Sequence, residues 1–263
     1  MFLTFSIFYS RILKTTLNLI GTLPSLCPIC QLPQTGSLIC KYCYSKLART
    51  ESGCFQCAEP LPESAFATPT TNQTVQAIYC GRCQKSPPSF NHVLALLTYQ
   101  EPLSNLIQGY KFSHQLRLIP CLSDCLIQQI QLVRTNNYQM PDAIIPVPLH
   151  PRRLRQRGFN QSLLLAKRVS RHFQIPVLNN LVSRTKKTGE QAALNRKQRL
   201  SNMRDAFEVH LNANETLSKY NKVAIIDDVI TSGSTCNELA RILKQAGITI
   251  IDIWCVAKTP FIK

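Results

Sequence analysis

Acidic side chains are what this sequence is short of: 14 Asp and Glu stand against 30 Lys and Arg in 263 residues, a formal net charge of +16. The shortage is local. Between Pro146 and Phe207 only Glu190 and Asp205 are acidic, while 14 basic side chains crowd the same stretch, which alone carries +12. So concentrated a block excludes general solubility as its explanation and calls for a polyanionic partner, either a pyrophosphate-bearing substrate or a nucleic-acid backbone. Aromatic residues are scarce there too. Phe159 and Phe173 are alone between 152 and 204, which makes stacking platforms for bases sparse and any direct single-strand contact chiefly electrostatic and salt-sensitive. Long hydrophobic runs are also lacking. The apolar stretch Phe2 to Tyr9 is broken by Arg11 and Lys14, has no basic segment before it and no small-residue cleavage site after it, so it is too short to span a bilayer and a poor secretory signal. Phe5, Phe8, Ile12, Leu13 and Leu19 fit one face of a helix packed on the protein, with docking on a membrane surface or partner as the alternative. No Gly-x-x-x-x-Gly-Lys-[Ser/Thr] is present, which excludes a P-loop nucleotide site.

Cysteine is abundant. Eight of the twelve form four Cys-x-x-Cys pairs, all before residue 84: Cys27 and Cys30, Cys40 and Cys43, Cys54 and Cys57, Cys80 and Cys83. That regularity reads as metal binding in a reducing, cytoplasmic setting rather than as disulfides. Two thiolates on one tight turn take adjacent corners of a tetrahedron and a second turn supplies the others; Pro28 and Gly81 suit such turns. The spacing predicts sequential pairing, 27/30 with 40/43 and 54/57 with 80/83, with a crossed pairing as the alternative. A redox role would expect one pair at a helix start in a thioredoxin-like pattern, which is absent. Cysteine-only ligands predict two structural Zn²⁺ ions. Cys121, Cys125 and Cys255 read as packing, and Cys236 as an inert thiol in the first turn of a helix, where the dipole lowers a thiol pKa.

Pro87-Pro88 closes the cysteine module. Beyond it the patterns predict a strand from His92 to Tyr99, helices over Pro102 to Tyr110 and Gln115 to Val133, and a buried strand Ala143 to Val147 ending in a proline-stiffened loop. A helix over Asn160 to His172, a basic loop from Arg184 to Arg204, a strand at Val223 to Ile226, a helix over Glu238 to Gln245 and a strand over Thr249 to Val256 complete the reading. Strands alternating with helices predict an α/β fold with a parallel sheet covered on both faces. The expected domains are an amphipathic segment 1–23, a double zinc ribbon 24–86 and an α/β domain 87–263.

Lys222 to Leu243 is the most informative stretch: four apolar residues, Asp227-Asp228, then Thr231-Ser232-Gly233-Ser234-Thr235 before an amphipathic helix. This is a strand delivering a loop to a helix N-terminus, at the end of a parallel sheet where ligands bind, and its backbone N–H groups and small hydroxyls form a phosphate cup. Two carboxylates before the cup repel a bare phosphate. They suit a ligand with hydroxyls beside its phosphate, and ribose 5-phosphate meets both conditions.

The Asp-Asp and hydroxyl-rich loop resembles the phosphoribosyl pyrophosphate signature of type I phosphoribosyltransferases. With Pro146 to Gln161 (Pro-Val-Pro-Leu-His-Pro-Arg-Arg-Leu-Arg-Gln-Arg-Gly-Phe-Asn-Gln) and the cysteine pairs, the chain is similar to the ComF family of competence proteins over roughly residues 27 to 260. The resemblance implies a Rossmann-like type I phosphoribosyltransferase sheet behind a zinc ribbon. It assigns Asp227 and Asp228 to the ribose, Thr231 to Thr235 to the 5-phosphate, and Pro148, Leu149, His150, Arg152 and Arg153 to pyrophosphate, with Arg157 and Asn160 close behind. Gln191 to Arg196, followed by Arg199, Asn202 and Ala206-Phe207, is similar to the loop that closes over substrate, and its charge without apolar periodicity suggests the same. The resemblance further implies Mg²⁺ with phosphoribosyl pyrophosphate, a part in DNA uptake, single-stranded DNA on the 152–204 region, contact with a DNA-import ATPase or other uptake proteins at the inner face of the membrane, and folds that often dimerise. No residue stands out as the acceptor's general base; His150 is the nearest to one.

Overall fold

Two knuckle turns of one design open the described part of the chain. The computed structural model describes residues 25–34, 38–50, 52–66, 77–112, 115–135, 138–185, 205–210 and 213–260; the expected helix within 1–23 and the expected closing loop, with Gln191, Arg196, Arg199 and Asn202, lie outside them. In the first knuckle, β1 (Ser25–Leu26) pairs antiparallel with β2 (Pro33–Gln34). The Cys27 N–H donates to the Leu32 carbonyl and the Gln31 N–H to the Cys27 carbonyl, with Gln31 at φ 60°. Cys40, extended, then starts the short helix α1 (Lys41–Ser45). In the second knuckle the Cys54 N–H donates to the Glu59 carbonyl and the Ala58 N–H to the Cys54 carbonyl, with Ala58 at φ 54°. Cys80, also extended, starts α2 (Gly81–Lys85).

The chain divides into two compact units, Met1–Leu47 and Ala48–Lys263. The division falls between the knuckles, inside the 24–86 stretch read from the sequence as a double zinc ribbon. Cys27, Ile39, Cys43 and Leu47 are the buried hydrophobic residues described in the first unit, too few to hold a fold without a cross-link.

The second unit is built on β3 (His92–Leu94), α3 (Leu103–Phe112), α4 (Ile119–Arg134), β4 (Ala143–Pro146), α5 (Pro151–Arg157), α6 (Gln161–Phe173), β5 (Val182–Arg184), β6 (Phe207–Val209), α7 (Ala213–Leu217), β7 (Lys222–Ile230), α8 (Ser234–Gln245) and β8 (Ile250–Lys258). Four strands form the expected parallel sheet in the order β3-β8-β7-β4. Side chains of a strand alternate between faces. Ala143, Ile145, Val223, Ile225, Ile251 and Ile253 therefore share one face and join Leu239, Ala240 and Leu243 of α8 in a single core, which also takes in Cys54, Cys57 and Cys83. On the other face α6 packs on β4 and β7, and α4 on β8. Both faces being covered, Val223 to Ile226 and Ile251 to Ala257 read as unbroken apolar runs apart from Asp252. Gln129 of α4, fully buried, closes the β3 end by accepting from the Leu96 N–H (2.6 Å) and donating to the Val256 carbonyl (3.1 Å).

Several boundaries differ from expectation: the first strand of the sheet ends at Leu94 rather than Tyr99, the strand expected at Val223 to Ile226 runs from Lys222 to Ile230, and Ala206 and Phe207, expected in the closing loop, are buried, with Phe207 opening β6. Residues 151–157, read as loop, are helix: Pro151 occupies the first turn, where a missing N–H costs nothing, and Gly158 at φ 76° ends it. The helix expected from Glu238 starts at Ser234, so Ser234 and Thr235 belong to its first turn. The strand expected from Thr249 begins at Ile250 and runs to Lys258. Cys121, Cys125 and Cys255 are buried as expected.

Candidate functional site

Strand β7 carries Asp227 and Asp228 to the carboxyl end of the sheet, and the turn to α8 follows at once. Gly233, the cap of α8, sits at φ 75°, a left-handed conformation that costs other residues energy. Ser232 Oγ lies 3.0 Å from Ser234 Oγ and accepts from the Ser234 N–H at 3.4 Å. The turn borders a cleft of about 240 Å³, lined among others by Leu149, Arg153, Ser162, Arg184, Asp227, Asp228, Thr231, Gly233, Ser234 and Thr235.

The two carboxylates are held differently. Asp227 Oδ1 accepts from Ser162 Oγ (3.0 Å) and from the Asp228 N–H (2.9 Å). Burial first, and then the neighbouring Asp228 charge, push its carboxyl up to about 7, against the pull of Lys111. Asp228, 3% exposed, pairs its Oδ1 with Lys111 Nζ at 2.9 Å and accepts there from the Val229 N–H at 2.7 Å. Its other oxygen is buried without a hydrogen-bond partner, an acceptor for a ligand hydroxyl or a metal ion.

Arg153 and Arg184 line the same cleft as the acids. Burial, then repulsion from Arg153, pull both Arg157 and Arg184 below the usual arginine range. Cations that repel one another at a cleft are stabilised by an anion between them. Arg184 also lies over the Phe207 ring, 5.6 Å from its centroid.

Of the residues expected on the pyrophosphate side, Leu149 and Arg153 line the cleft. His150 caps α5, its Nδ1 accepting from the Arg152 N–H at 3.2 Å, which turns that nitrogen away from proton abstraction. Asn160 caps α6 through its Oδ1 and donates its amide to the Val147 carbonyl at 3.1 Å; it shapes the loop from behind. Arg152 is exposed on α5. Ser232 lines a second hollow of about 140 Å³ that shares Thr231, Gly233 and Ser234 with the first. Cys236 does lie in the first turn of its helix, but burial, then the nearby Asp227 charge, raise its thiol well above the ordinary value, so the expected lowering is reversed. Sequence reading missed Lys111, Ser162 and Arg184 as site residues. Arg184 stood at the start of the basic loop, a usable signal; Lys111 ends a helix more than a hundred residues upstream of its partner and has no local signature.

The cysteines form two tetrads, Cys27, Cys30, Cys40 and Cys43 in one and Cys54, Cys57, Cys80 and Cys83 in the other, each with its sulfurs within 4.8 Å of one another. Cys30 and Cys40 sulfurs are 3.8 Å apart and those of Cys57 and Cys80 3.7 Å, close to the edge of about 3.8 Å for a tetrahedron with Zn–S of about 2.3 Å. Burial and then neighbouring sulfurs push Cys43 and Cys83 up, the crowding that a divalent cation relieves. Both tetrads fit a metal ion such as zinc.

Comparison with known proteins matches residues 160–260 to the family described as "Phosphoribosyl transferase domain". "Competence protein F" of Haemophilus influenzae (strain Rd) is 36% identical over 222 residues, 83% of this chain and 96% of that protein. "DNA utilization protein YhgH" of Escherichia coli O6:H1 is 35% identical over 242 residues, 90% of this chain and 99% of its own length. "Competence protein ComFC" of Streptococcus pneumoniae is 26% identical over 182 residues, 68% of this chain and 74% of its own.

Proposed function

The chain belongs to the ComF family, and from that premise we propose that it binds phosphoribosyl pyrophosphate with Mg²⁺ at the β7–α8 cleft and serves the uptake and handling of DNA. The observation that carries this reading is the meeting, within one cleft, of Asp227, the buried Asp228 and the guanidiniums of Arg153 and Arg184 beside a glycine-capped helix N-terminus. A ligand with vicinal hydroxyls at one end and anions at both sides satisfies every part of it. The ribose hydroxyls donate to Asp227 and to the unpartnered oxygen of Asp228, the 5-phosphate takes the N–H groups and hydroxyls of Thr231 to Thr235, and pyrophosphate lies toward Leu149, Arg153 and Arg184. Mg²⁺ supplies charge neutralisation at the pyrophosphate. In transfer, the bond from C1 to pyrophosphate breaks and one to an acceptor nucleophile forms, with the departing negative charge held by the arginines. Among the described residues, none in the cleft specifies the acceptor's class.

The DNA-handling part rests on the relatives' names and on exposure: Arg152, Arg155, Lys167 and Arg171 of α5 and α6 face solvent, free for a single-stranded backbone while Arg153 and Arg184 serve the cleft. A DNA-import ATPase or other uptake proteins are the partners this role requires. The two cysteine tetrads hold structural Zn²⁺ in this reading, closed by four thiolates with no position for a reacting water. Among the described residues no helix is long and apolar enough to cross a membrane.

Calorimetric titration of phosphoribosyl pyrophosphate with Mg²⁺ into the zinc-loaded protein and into Asp227→Asn/Asp228→Asn tests the reading. Saturable binding that disappears in the double variant is expected. A folded, metal-replete protein that binds nothing overturns it in favour of a non-catalytic DNA-handling adaptor.

A further inference from the structure

We infer that the second cysteine tetrad is built into the phosphate-type turn through Glu59 and Lys258, which act as positioning residues for it. The inference rests on the ligand reading above for its functional consequence and on geometry for the coupling itself. Lys258, the last residue of β8, is 2% exposed, and its ammonium lies 2.9 Å from Glu59 Oε2. The same ammonium donates to the Thr259 carbonyl (3.1 Å) and to the Thr231 carbonyl (3.5 Å), the first residue of the turn. Glu59 is also the residue whose backbone carbonyl closes the knuckle on the Cys54 N–H at 2.8 Å. One residue thus ends the metal turn with its main chain and orients, with its side chain, the cation that reaches the phosphate turn.

Two further contacts run the same way. Gln56, between the ligands Cys54 and Cys57, donates to the Phe90 carbonyl at 3.0 Å, and the Phe90 ring lies 3.8 Å from where a side chain on Gly233 would begin. Asn237 accepts from the Ser89 N–H at 2.6 Å while its own N–H donates to the Gly233 carbonyl at 2.8 Å. Cys57, Cys83 and Arg82 share one hollow with Thr231, Ser232 and Gly233. A buried ammonium that loses its carboxylate must find other acceptors, and the Thr231 carbonyl is in reach, so a shift of Glu59 is passed to the turn. The tetrad then tunes ligand affinity without touching ligand.

The test compares the unaltered full-length protein with Glu59→Gln, with Asn237→Ala as a second, milder cut and Cys43→Ser in the first tetrad as control. Metal content, amide hydrogen exchange of peptides covering Thr231 to Thr235, and titration with ribose 5-phosphate are read on each. Glu59→Gln is expected to keep the metal of its tetrad, to exchange faster at the turn and to bind ribose 5-phosphate roughly tenfold more weakly; Asn237→Ala moves both readouts the same way, and Cys43→Ser moves neither. Unchanged exchange and affinity in both Glu59→Gln and Asn237→Ala overturn the inference. Faster exchange in Glu59→Gln with no ribose 5-phosphate binding by the unaltered protein leaves the coupling standing and removes the ligand reading instead.

Discussion

The two knuckles are near-copies in their backbone: the same pair of hydrogen bonds from each first cysteine, the same left-handed residue four places on, the same extended cysteine starting a short helix. Their surroundings have nothing in common. In the first unit Ile39 and Leu47 are the buried apolar residues described besides cysteines, whereas Cys54, Cys57 and Cys83 of the second lie in one core with β7, β8 and α8. A cysteine tetrad of fixed design that fits a metal ion therefore has few buried apolar residues in its unit in one case and is part of the α/β core in the other.

The sharpest way to break that comparison is to remove one ligand from each. Cys83→Ser is expected to abolish cooperative unfolding of the α/β unit, since structural zinc contributes on the order of 10 kcal/mol to a site of this type. Cys43→Ser should shift that transition by less than about 2 °C; calorimetric scans with metal analysis decide, and equal shifts would erase the distinction. Next in size are the apolar partners. Phe90→Ala should cost about 3–5 kcal/mol and Ile39→Val about 1 kcal/mol in denaturant unfolding. Smallest is a pH effect confined to the second unit. Asp227 has its folded pKa raised to about 7, so the unfolded chain releases this proton at lower pH. Its contribution to stability is present in acid and lost as pH rises from the ordinary carboxylate range through 7, by about 1 kcal/mol between pH 6 and 7. Asp227→Asn flattens that decline, and an unchanged slope in the variant would assign it elsewhere.

What the sequence made legible was whatever chemistry is local. Cys-x-x-Cys spacing dictates a knuckle, and an apolar run followed by Asp227-Asp228 and small hydroxylic residues dictates a strand, a turn and a helix start. The helix at 151–157 was legible in principle, since Pro151 and Gly158 are its start and stop signals, but basic charge without apolar periodicity concealed it. Lys111, Ser162 and Arg184 were not legible as a group, because three separate elements meet at the cleft only after the sheet has ordered its strands as β3-β8-β7-β4. Cys236 shows the same limit from the other side. Its place in a helix was readable, but the burial and the neighbouring carboxylates that reverse its acidity were not.

The ion pair between Lys111 and Asp228 bears on how such proteins change over evolutionary time. Lys111 lies outside the recognisable transferase span 160–260, so a recombination event that moved that span alone into another gene would carry away a buried carboxylate and leave its counter-charge behind. Inheritance of that ion pair therefore requires the preceding helices to travel with the span, and a fusion protein lacking them would start with Asp228 deprived of its lysine.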